Sequence, residues 1–404
     1  MIVIYISIPK LTYFLRTAPC FLESEILQKY DEIIHESLID ILNIQLLESA
    51  WNQATLPIAK GGLGLRPAME VALSGFLSSV SASKKLIKAL LPQKELTHTS
   101  NPNDHFESAV QRWKVLSGLN TLPENQIYQS EWDKGLYEQR YEYLLHNTQE
   151  ESEKARILSV SSDSASDWLY AMPIPSLGLH LDPMTLKIAC GLRLGSTLCH
   201  PFQCICGKMV DPNGRHGLAC RKQLGRWSRH TEVNHLIKRA LVQAKIPATL
   251  EPTNLSILDG RRPDGLTFLS WKQGKPLTWD FTCADTLCDT YVKRSARCAG
   301  SAAEFREEEK SKHYKDLTNY HFVPVAVETF GAWGSRGWKL VKEIGRKMCD
   351  VTGEKRSAFY LFQSISVAVQ RGNAACIIGT APASEGLEEV FDFIEHSSEP
   401  EQEA

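Results

Sequence analysis

Four side chains that can bind a metal cluster in the second half of the chain. They form a Cys-x-Cys pair and a His-x3-Cys pair within seventeen residues: Cys204, Cys206, His216 and Cys220. Asp211-Pro-Asn-Gly lies between the pairs, and this turn sequence can fold one pair against the other. Thiolate and imidazole are the donors that tetrahedral zinc prefers. A site with four protein ligands has no open position, so we predict a structural zinc.

This zinc assignment has a plainer alternative. The Cys-x-Cys spacing is tighter than the usual two-residue separation, and the same residues could be reduced, buried cysteines beside an ordinary loop histidine. If one ligand is wrong, Cys199 and His200 are the nearest substitutes. The opening residues do not predict a secretory signal, so we expect the eleven cysteines to be thiols or metal ligands rather than disulfides.

A pair of aspartates further along could bind a different metal. Asp264 stands in Arg-Pro-Asp-Gly at the start of one β-prone run, and Asp280 stands in Trp-Asp-Phe-Thr within the next. Neighbouring antiparallel strands would bring both carboxylates to one end of a sheet, where they could share Mg²⁺. A charged residue in an apolar strand needs a partner or a metal. The structural alternative for each residue is a turn or capping aspartate.

A lysine could complete this second site. Phosphodiester hydrolysis requires a metal, carboxylates that hold it, and a cation that offsets the developing negative charge. Lys310, on a charged helix predicted over 301–319, is our candidate for that cation, and Lys312 is the second choice. Taken alone, this helix could equally be a solvated face with i,i+3 and i,i+4 ion pairs.

The elements around these residues predict a mixed α/β domain. Residues 228–245 have one apolar face and predict a helix. Three short β-prone runs follow, and after them come the charged helix, the strand-like FVPVAVETF and a helix over 335–349. The order helix, three strands, helix, strand, helix predicts an α/β sandwich built on a mixed sheet.

The whole chain divides into five predicted segments. Apolar residues recur at helical spacing in the first segment. The middle of the chain is polar, and the last segment is acidic. The segments are a helical region at 1–95, a helical connector at 96–185 with a flexible linker near 159–167, a zinc knuckle at 186–225, the mixed-sheet domain at 226–385, and a disordered acidic tail at 386–404.

Charge is distributed unevenly along the chain. The net charge is −2, which by itself argues against binding to nucleic acid. Residues 204–350, however, carry 25 Lys and Arg against 16 Asp and Glu, whereas the rest carries 20 against 31. A basic domain between acidic flanks favours binding to a polyanion. No run of eighteen apolar residues is present, so we expect no membrane span.

Together these residues resemble the restriction-enzyme-like endonuclease at the C-terminus of some non-LTR retrotransposon polyproteins, which belongs to the PD-(D/E)XK nuclease superfamily. IPKLTYFLRTAPC and LPIAKGGLGLR resemble the segment after the reverse-transcriptase domain, where the polymerase thumb lies. The resemblance covers most of the chain and is least specific in the middle. The matching nuclease positions are Cys204, Cys206, His216, Cys220, Arg229, His230, Asn234, Glu251, Arg262, Pro263, Asp264, Asp280, Thr282, Lys310, Tyr314, Pro324, Glu328 and Gly331.

Two positions depart from the family pattern. In the superfamily the lysine usually follows the second carboxylate within the same strand, but Thr282 stands there in this chain. The resemblance therefore implies a lysine displaced to the following helix, as in the retrotransposon branch. That helix usually reads K-x-x-K-Y, whereas this chain has Lys310-Ser-Lys312-His313-Tyr314. The pattern favours Lys310 and leaves Lys312 open.

The resemblance implies a Mg²⁺-dependent, zinc-containing DNA endonuclease. Such an enzyme would nick a target duplex in the nucleus and leave a 3′ hydroxyl that primes reverse transcription, with the element's RNA as a second partner. Without the resemblance, we would expect a cytoplasmic protein that is not secreted. Glu251 or Glu232 could add a metal ligand, although surface charge or an ion pair is the plainer role for both. Phosphate contacts are predicted for Arg229, His230 and Arg262.

A second function stays open. A reverse transcriptase needs a paired-aspartate strand such as YxDD, and no Asp-Asp dipeptide occurs in the chain. The sequence therefore resembles a C-terminal fragment or truncated copy without polymerase activity. The alternative to an endonuclease is a catalytically inactive, zinc-containing remnant that binds nucleic acid through phosphates, with strong salt dependence. Target sequence and oligomeric state are left open by the sequence.

Overall fold

The computed structural model describes residues 2–90, 102–223, 225–253, 255, 262–382 and 386–393. It is a mixed α/β structure in which helices predominate, as predicted at this level. None of the described helices is long and apolar enough to cross a membrane.

The α-helices are α1 Ile2–Thr17, α2 Ser24–Leu42, α3 Glu48–Ala54, α4 Ala68–Leu90, α5 Pro102–Ser117, α6 Gln129–Asn147, α7 Glu151–Val160, α8 Asp167–Tyr170, α9 Pro183–Leu194, α10 Arg215–Ala219, α11 Gly225–Gln243, α12 Val292–Ser295, α13 Ser301–His313, α14 Ser335–Thr352, α15 Ser357–Ile378 and α16 Leu387–Phe391. The strands are β1 Phe202–Gln203, β2 Met209–Val210, β3 Ala248–Leu250, β4 Gly265–Lys272, β5 Lys275–Ala284 and β6 His321–Glu328.

The chain divides into two compact units. The first comprises Met1–Ile41 and Leu47–Asn147, and the second comprises Leu42–Leu46 and Thr148–Ala404. The division at 147/148 falls inside the segment that the sequence assigns to a helical connector. The first unit is helical, and its core includes Trp113 and Trp132, whose ring centroids lie 5.1 Å apart in an edge-on arrangement.

The second unit contains a four-stranded mixed sheet in the order β3-β4-β5-β6. The first two pairings are antiparallel, and β5 pairs with β6 in parallel. Parallel neighbours require a crossover connection, which α12 and α13 provide between β5 and β6. The order of α11, three strands, crossover helices, a fourth strand and α14 is the order that the sequence predicts.

The core of the second unit forms on one face of β5. Leu277, Trp279 and Phe281 alternate along the strand and are almost fully buried with apolar residues of α11, β6, α14 and α15. Side chains of a strand point alternately to opposite faces, so the intervening Thr278 and Asp280 face the other side. That face is also buried, which places a carboxylate inside the protein.

Two buried glutamates fix the helices that flank β6. Glu328, the last residue of β6, accepts hydrogen bonds from the backbone N–H groups of Ala302 and Ala303 in the first turn of α13. Glu307 of α13 accepts hydrogen bonds from the N–H groups of Arg336 and Gly337 at the start of α14, at 3.0 and 2.8 Å. Each carboxylate therefore caps a helix N-terminus, where backbone donors lack intrahelical partners.

Two segments are more ordered than the sequence predicts. The expected flexible linker near 159–167 contains buried Val160 and Ala165, and the Ser159 hydroxyl donates to Glu328 at 3.0 Å. Serine-rich sequences suit tight turns as well as linkers, and here tertiary contacts hold the turns. Within the predicted disordered tail, 386–404, residues 387–391 form α16 and Phe391 is buried. The rest of that tail, from 394 onward, lies outside the described residues.

Candidate active site and metal centre

The four predicted zinc ligands converge. The ligand atoms of Cys204, Cys206, His216 and Cys220 all lie within 4.8 Å of one another, and within the described residues this is the only such group of Cys, His, Asp or Glu. The sulfurs of Cys204 and Cys220 are 3.7 Å apart, and Cys206 Sγ lies 3.3 Å from His216 Nε2. Tetrahedral sulfur ligands at ~2.3 Å from zinc are about 3.8 Å apart. The cluster can therefore hold a metal such as zinc.

Two tight turns bring the ligand pairs together. In the β1–β2 hairpin the N–H of Cys204 donates to Lys208 O at 2.8 Å, and Gly207 adopts φ 89°, which suits glycine. In the second turn the Asp211 carboxylate accepts hydrogen bonds from the backbone N–H groups of Asn213, Arg215 and His216. Desolvation raises the pKa of the Cys204 thiol to about 11, so metal binding must release a proton there.

The two substitutes named from the sequence are engaged elsewhere. Cys199 Sγ lies 3.5 Å from the carbonyl oxygen of Asp211, and His200 Nε2 lies 3.3 Å from the carbonyl oxygen of Asp392. Neither belongs to the converging group. The geometry thus supports the original four ligands.

Asp264 and Asp280 meet at one end of the mixed sheet. Gly265 of β4 pairs with Trp279 of β5, so continuing this antiparallel register by one residue sets Asp264 beside Asp280. The backbone N–H of Phe281 donates to Asp264 Oδ2 at 2.6 Å. Asp264 therefore ties the start of β4 to the middle of β5, next to the buried second carboxylate.

Lys310 and Tyr314 hold the Asp280 carboxylate. Lys310 Nζ lies 2.6 Å from Oδ1, and the Tyr314 hydroxyl donates to Oδ2 at 2.7 Å. Asp280 is only 3% exposed. Residues four apart share a helix face and residues two apart do not, so α13 directs Lys310 and Tyr314 inward while Lys312 is exposed. The geometry favours Lys310 over Lys312 as the lysine of this site.

A second polar chain reaches Asp264 from α11. His230 Nε2 lies 3.0 Å from Asp264 Oδ2, and its other ring nitrogen lies 3.4 Å from the Asn234 amide. Asn234 accepts a hydrogen bond from the indole N–H of Trp279 at 3.0 Å. His230 is thus held at both ring nitrogens, and its side chain is 39% exposed beside the Asp264 carboxylate.

The electrostatics of the site favour an added positive charge. Burial raises the pKa of Asp280 above its ordinary value, the neighbouring charge of Asp264 raises it further, and Lys310 opposes both effects. The hydrogen bond to Asp264 raises the pKa of His230 above its ordinary value. Two carboxylates in one partly desolvated site disfavour double ionisation unless cations compensate.

The additional acidic residues predicted as metal ligands are more exposed. Glu251 donates its backbone N–H to Asp264 O at 2.8 Å, but its carboxylate is 72% exposed and pairs with Arg262. Glu232 pairs with Arg239 at 3.3 Å on an exposed face of α11. Glu251 therefore stands beside the aspartates with its carboxylate at the solvent, and Glu232 belongs to a solvated ion pair.

Arg229 has a different environment from the predicted phosphate contact. Its side chain is 3% exposed, and its guanidinium donates to Asn373 of α15. A Cβ at Gly372 would come within 2.4 Å of Arg229 Cβ, so the glycine makes room for this arginine. In the described structure Arg229 joins α11 to α15, while Arg262 keeps a part-exposed side chain beside Glu251.

An open cleft of about 750 Å³ surrounds both aspartates. Its walls include three residues that the sequence analysis did not single out, Arg221, Arg226 and Trp227, as well as the predicted Arg262. Asn234 and Tyr314 were matched by resemblance without an assigned role. Their helical spacing of four from His230 and Lys310 is the signal that could have assigned them.

No protein-family model matches this chain, and no curated protein matches it either. Two groups of side chains in the second unit are therefore the guide to function. One is the Cys/His cluster that can hold a metal such as zinc, and the other is an Asp, Asp and Lys group at the end of a mixed sheet.

Proposed function

We propose that the second unit is a Mg²⁺-dependent DNA endonuclease of the restriction-enzyme-like, PD-(D/E)XK type, with a structural zinc, in the C-terminal region of a non-LTR retrotransposon protein that acts in the nucleus. The observation that carries the proposal is the meeting of Asp264, Asp280 and Lys310 at one end of the sheet. Asp264 directly precedes β4, Asp280 lies in β5 and Lys310 lies in α13. The chain buries the charged pair of Asp280 and Lys310 there. Burying charge is costly without a function or full compensation.

The donor set suits Mg²⁺. The Asp280 Oδ1 atom is buried and ion-paired with Lys310, but it accepts no aligned hydrogen bond from the described residues. Carboxylate oxygens of Asp264 and Asp280 are the hard ligands that Mg²⁺ takes, usually one or two per ion with water completing the shell. When bound, Mg²⁺ would supply Lewis-acid activation of the phosphate and its attacking water.

The chain's own residues would supply orientation and charge. The Tyr314 hydroxyl donates a hydrogen bond to the Asp280 carboxylate, which holds the carboxylate oxygens in a fixed orientation. The Lys310 ammonium, 26% exposed, lies at the cleft and can offset negative charge that develops on a phosphate. His230 can hold a proton at Nε2 against Asp264, since its pKa is raised there.

The substrate assignment rests on charge. Arg221, Arg226 and Arg262 stand along the same cleft as the aspartates. Guanidinium groups bind phosphate through paired, charge-assisted hydrogen bonds. A cleft with acidic residues at its floor and arginines along its walls suits a phosphodiester backbone better than it suits a free cation or a neutral ligand.

A nicking assay tests the proposal. Purified protein is incubated with supercoiled plasmid and Mg²⁺, and the conversion to nicked circles is timed. We expect Asp280→Asn to lower the rate about a hundredfold or more, since it removes a preorganised charge from the reacting centre. The matched control is Asp350→Asn, because Asp350 is an exposed aspartate of α14, and that variant should nick at the wild-type rate.

The same experiment distinguishes the endonuclease from the second candidate function. Asp264 and Asp280 already have partners within the chain, and an inactive scaffold could retain such a network. A wild-type protein that binds plasmid but never nicks it, or an Asp280→Asn variant that nicks equally well, would rule out catalysis at this site. Binding without nicking would support the inactive, zinc-containing nucleic-acid-binding remnant.

A further inference from the structure

Trp227 is the most exposed of the described tryptophan side chains. It lies in the first turn of α11, is 74% exposed, and lines the cleft that contains the two aspartates. Among the described residues it makes no hydrogen bond and no ring-to-ring contact. Leaving an indole in water forfeits the stabilisation that burial would give. An exposed aromatic residue inside a functional cleft is therefore a candidate contact for a ligand.

The charges around Trp227 identify the chemistry of that ligand. Arg226 precedes it on α11, and Arg221, just after the predicted metal ligand Cys220, lines the same cleft. Both arginines are exposed. A flat aromatic surface with guanidinium groups in the same cleft suits nucleotides, because the base can stack on the ring while the phosphates meet the cations.

We infer that Trp227 stacks on an unpaired nucleobase, so that the cleft receives a single-stranded stretch of DNA beside the phosphate to be cleaved. The inference rests on the proposed function and names the form of its substrate. In a duplex both faces of each base are covered by neighbours, and a ring standing on a cleft wall reaches a base face only where the stack is open.

The size of the cleft agrees with this substrate. A volume of about 750 Å³ lies in the range of pockets that enclose small molecules. The cleft has room for one or two unpaired nucleotides. The preferred substrate is accordingly a junction, fray or gap, in which unpaired nucleotides enter the cleft and the adjoining duplex stays outside.

A binding measurement without Mg²⁺ tests the inference. Full-length wild-type protein is titrated into a fluorescent twelve-nucleotide oligo(dT) and into an abasic strand of equal length, and anisotropy is recorded. No chelator is added, so that bound zinc is retained. One stacked base adds about tenfold in affinity, so the wild type should prefer oligo(dT) by about that factor. Trp227→Ala should bind both strands equally, and Trp227→Phe should keep most of the preference.

The control is Phe268→Ala, because Phe268 of β4 is similarly exposed at 65% but does not line the cleft. That variant should discriminate between the strands as the wild type does. Affinity for the abasic strand serves as the internal check on folding, since it depends on phosphate contacts and should be unchanged in Trp227→Ala.

The inference is overturned if the wild type binds both strands equally, or if Trp227→Ala keeps the wild-type preference. These outcomes are separate from failure of the proposed function, because no cleavage is measured. Base discrimination without plasmid nicking would remove the endonuclease proposal and leave Trp227 as a binding residue. Nicking without base discrimination would remove only the role of Trp227.

Discussion

Asp280 combines a buried strand position with partners on both carboxylate oxygens. Its strand neighbours Trp279 and Phe281 pack into the core. This packing fixes the backbone, so the Asp280 carboxylate must point to the opposite face of the sheet. Lys310 and Tyr314 then meet that carboxylate from α13. A charge in this position needs such partners, and the candidate site therefore follows from how the apolar residues on either side are packed.

Glu307 is a second buried carboxylate, and it provides a test of stability against pH. Burial raises its pKa from 4.5 to about 7 despite its backbone hydrogen-bond donors. The folded state therefore holds the proton more tightly than the unfolded state. The free energy of unfolding should fall by about 3 kcal/mol as pH rises from about 4.5 to about 7, since one pKa unit corresponds to about 1.4 kcal/mol.

Denaturant unfolding at several pH values measures this effect in wild type and Glu307→Gln. The variant does not titrate, so its unfolding free energy should change less over that pH window, although it is less stable throughout because an amide N–H₂ faces backbone donors. Glu308→Gln on the exposed side of the same helix is the control and should keep the wild-type slope. Equal slopes in wild type and Glu307→Gln would contradict the expected raised pKa.

At the scale of elements, a metal in the Cys/His cluster would stabilise a segment with little core of its own. β1 and β2 are two residues each, and α10 has five. Close packing against α15 holds the segment from one side, where a Cβ at Gly217 would come within 2.8 Å of Ile377 Cα. Elements this short are marginal alone, so ligand bonds are needed to hold the other side.

We expect Cys206→Ser to lose this metal. Zinc content per chain should fall from about one toward zero, and the melting temperature should fall as well, because structural zinc contributes directly to folding free energy. Elemental analysis and thermal unfolding measure the two effects. Cys298→Ser, which changes an exposed cysteine outside the cluster, should alter neither. Unchanged zinc in Cys206→Ser would refute the ligand assignment.

Helix α11 links several parts of the second unit. Its apolar side, with Val233, Ile237 and Leu241, packs into the core. His230 on another side meets Asp264, and Trp227 at its first turn stands on the cleft wall. Apolar periodicity predicts the packing side of such a helix, but it does not distinguish a polar residue that faces solvent from one that faces a carboxylate.

At the scale of the whole molecule, we expect the charge of residues 204–350 to influence nucleic-acid binding more than the net charge of the chain does. The chain is net −2, yet residues 204–350 have an excess of basic side chains. Each phosphate neutralised by a basic residue releases counterions, so the logarithm of the association constant should fall with the logarithm of salt concentration by about 0.9 per contact in duplex DNA and about 0.7 in single strands. Net acidity should not prevent tight binding at low salt.

Arg221→Ala combined with Arg226→Ala tests that expectation. Binding to a DNA junction is measured by anisotropy between 50 and 200 mM salt. The double variant should bind more weakly than the wild type at low salt. The slope of the logarithm of the association constant against the logarithm of salt concentration should be smaller by the amount expected for about two phosphate contacts. Arg239→Ala is the matched control, since Arg239 lies on α11 in an exposed pair with Glu232 outside the cleft. An unchanged slope in the double variant would place the DNA-binding surface elsewhere.

The sequence by itself determined the features that depend on local spacing. Cys204, Cys206, His216 and Cys220 lie within one short segment, so turn geometry alone brings them together, and the converging cluster follows. The element order of the mixed sheet is also local, because period-two and period-3.6 patterns mark strands and helices in turn. The serines near 159–167 predict a flexible linker, yet they form turns with buried residues, because serine suits linkers and tight turns alike.

Only the tertiary structure decided which distant polar residues meet. Arg229 and Arg262 both line the cleft, yet Arg229 is buried against α15 whereas the Arg262 side chain is 43% exposed. Lys310 and Lys312 differ by two positions, and only the orientation of α13 selects the first. Side-chain environment depends on contacts between residues far apart in the chain, and no single-sequence pattern encodes those contacts. The Cys/His cluster is short-range, whereas the candidate active site depends on the packing of the whole second unit.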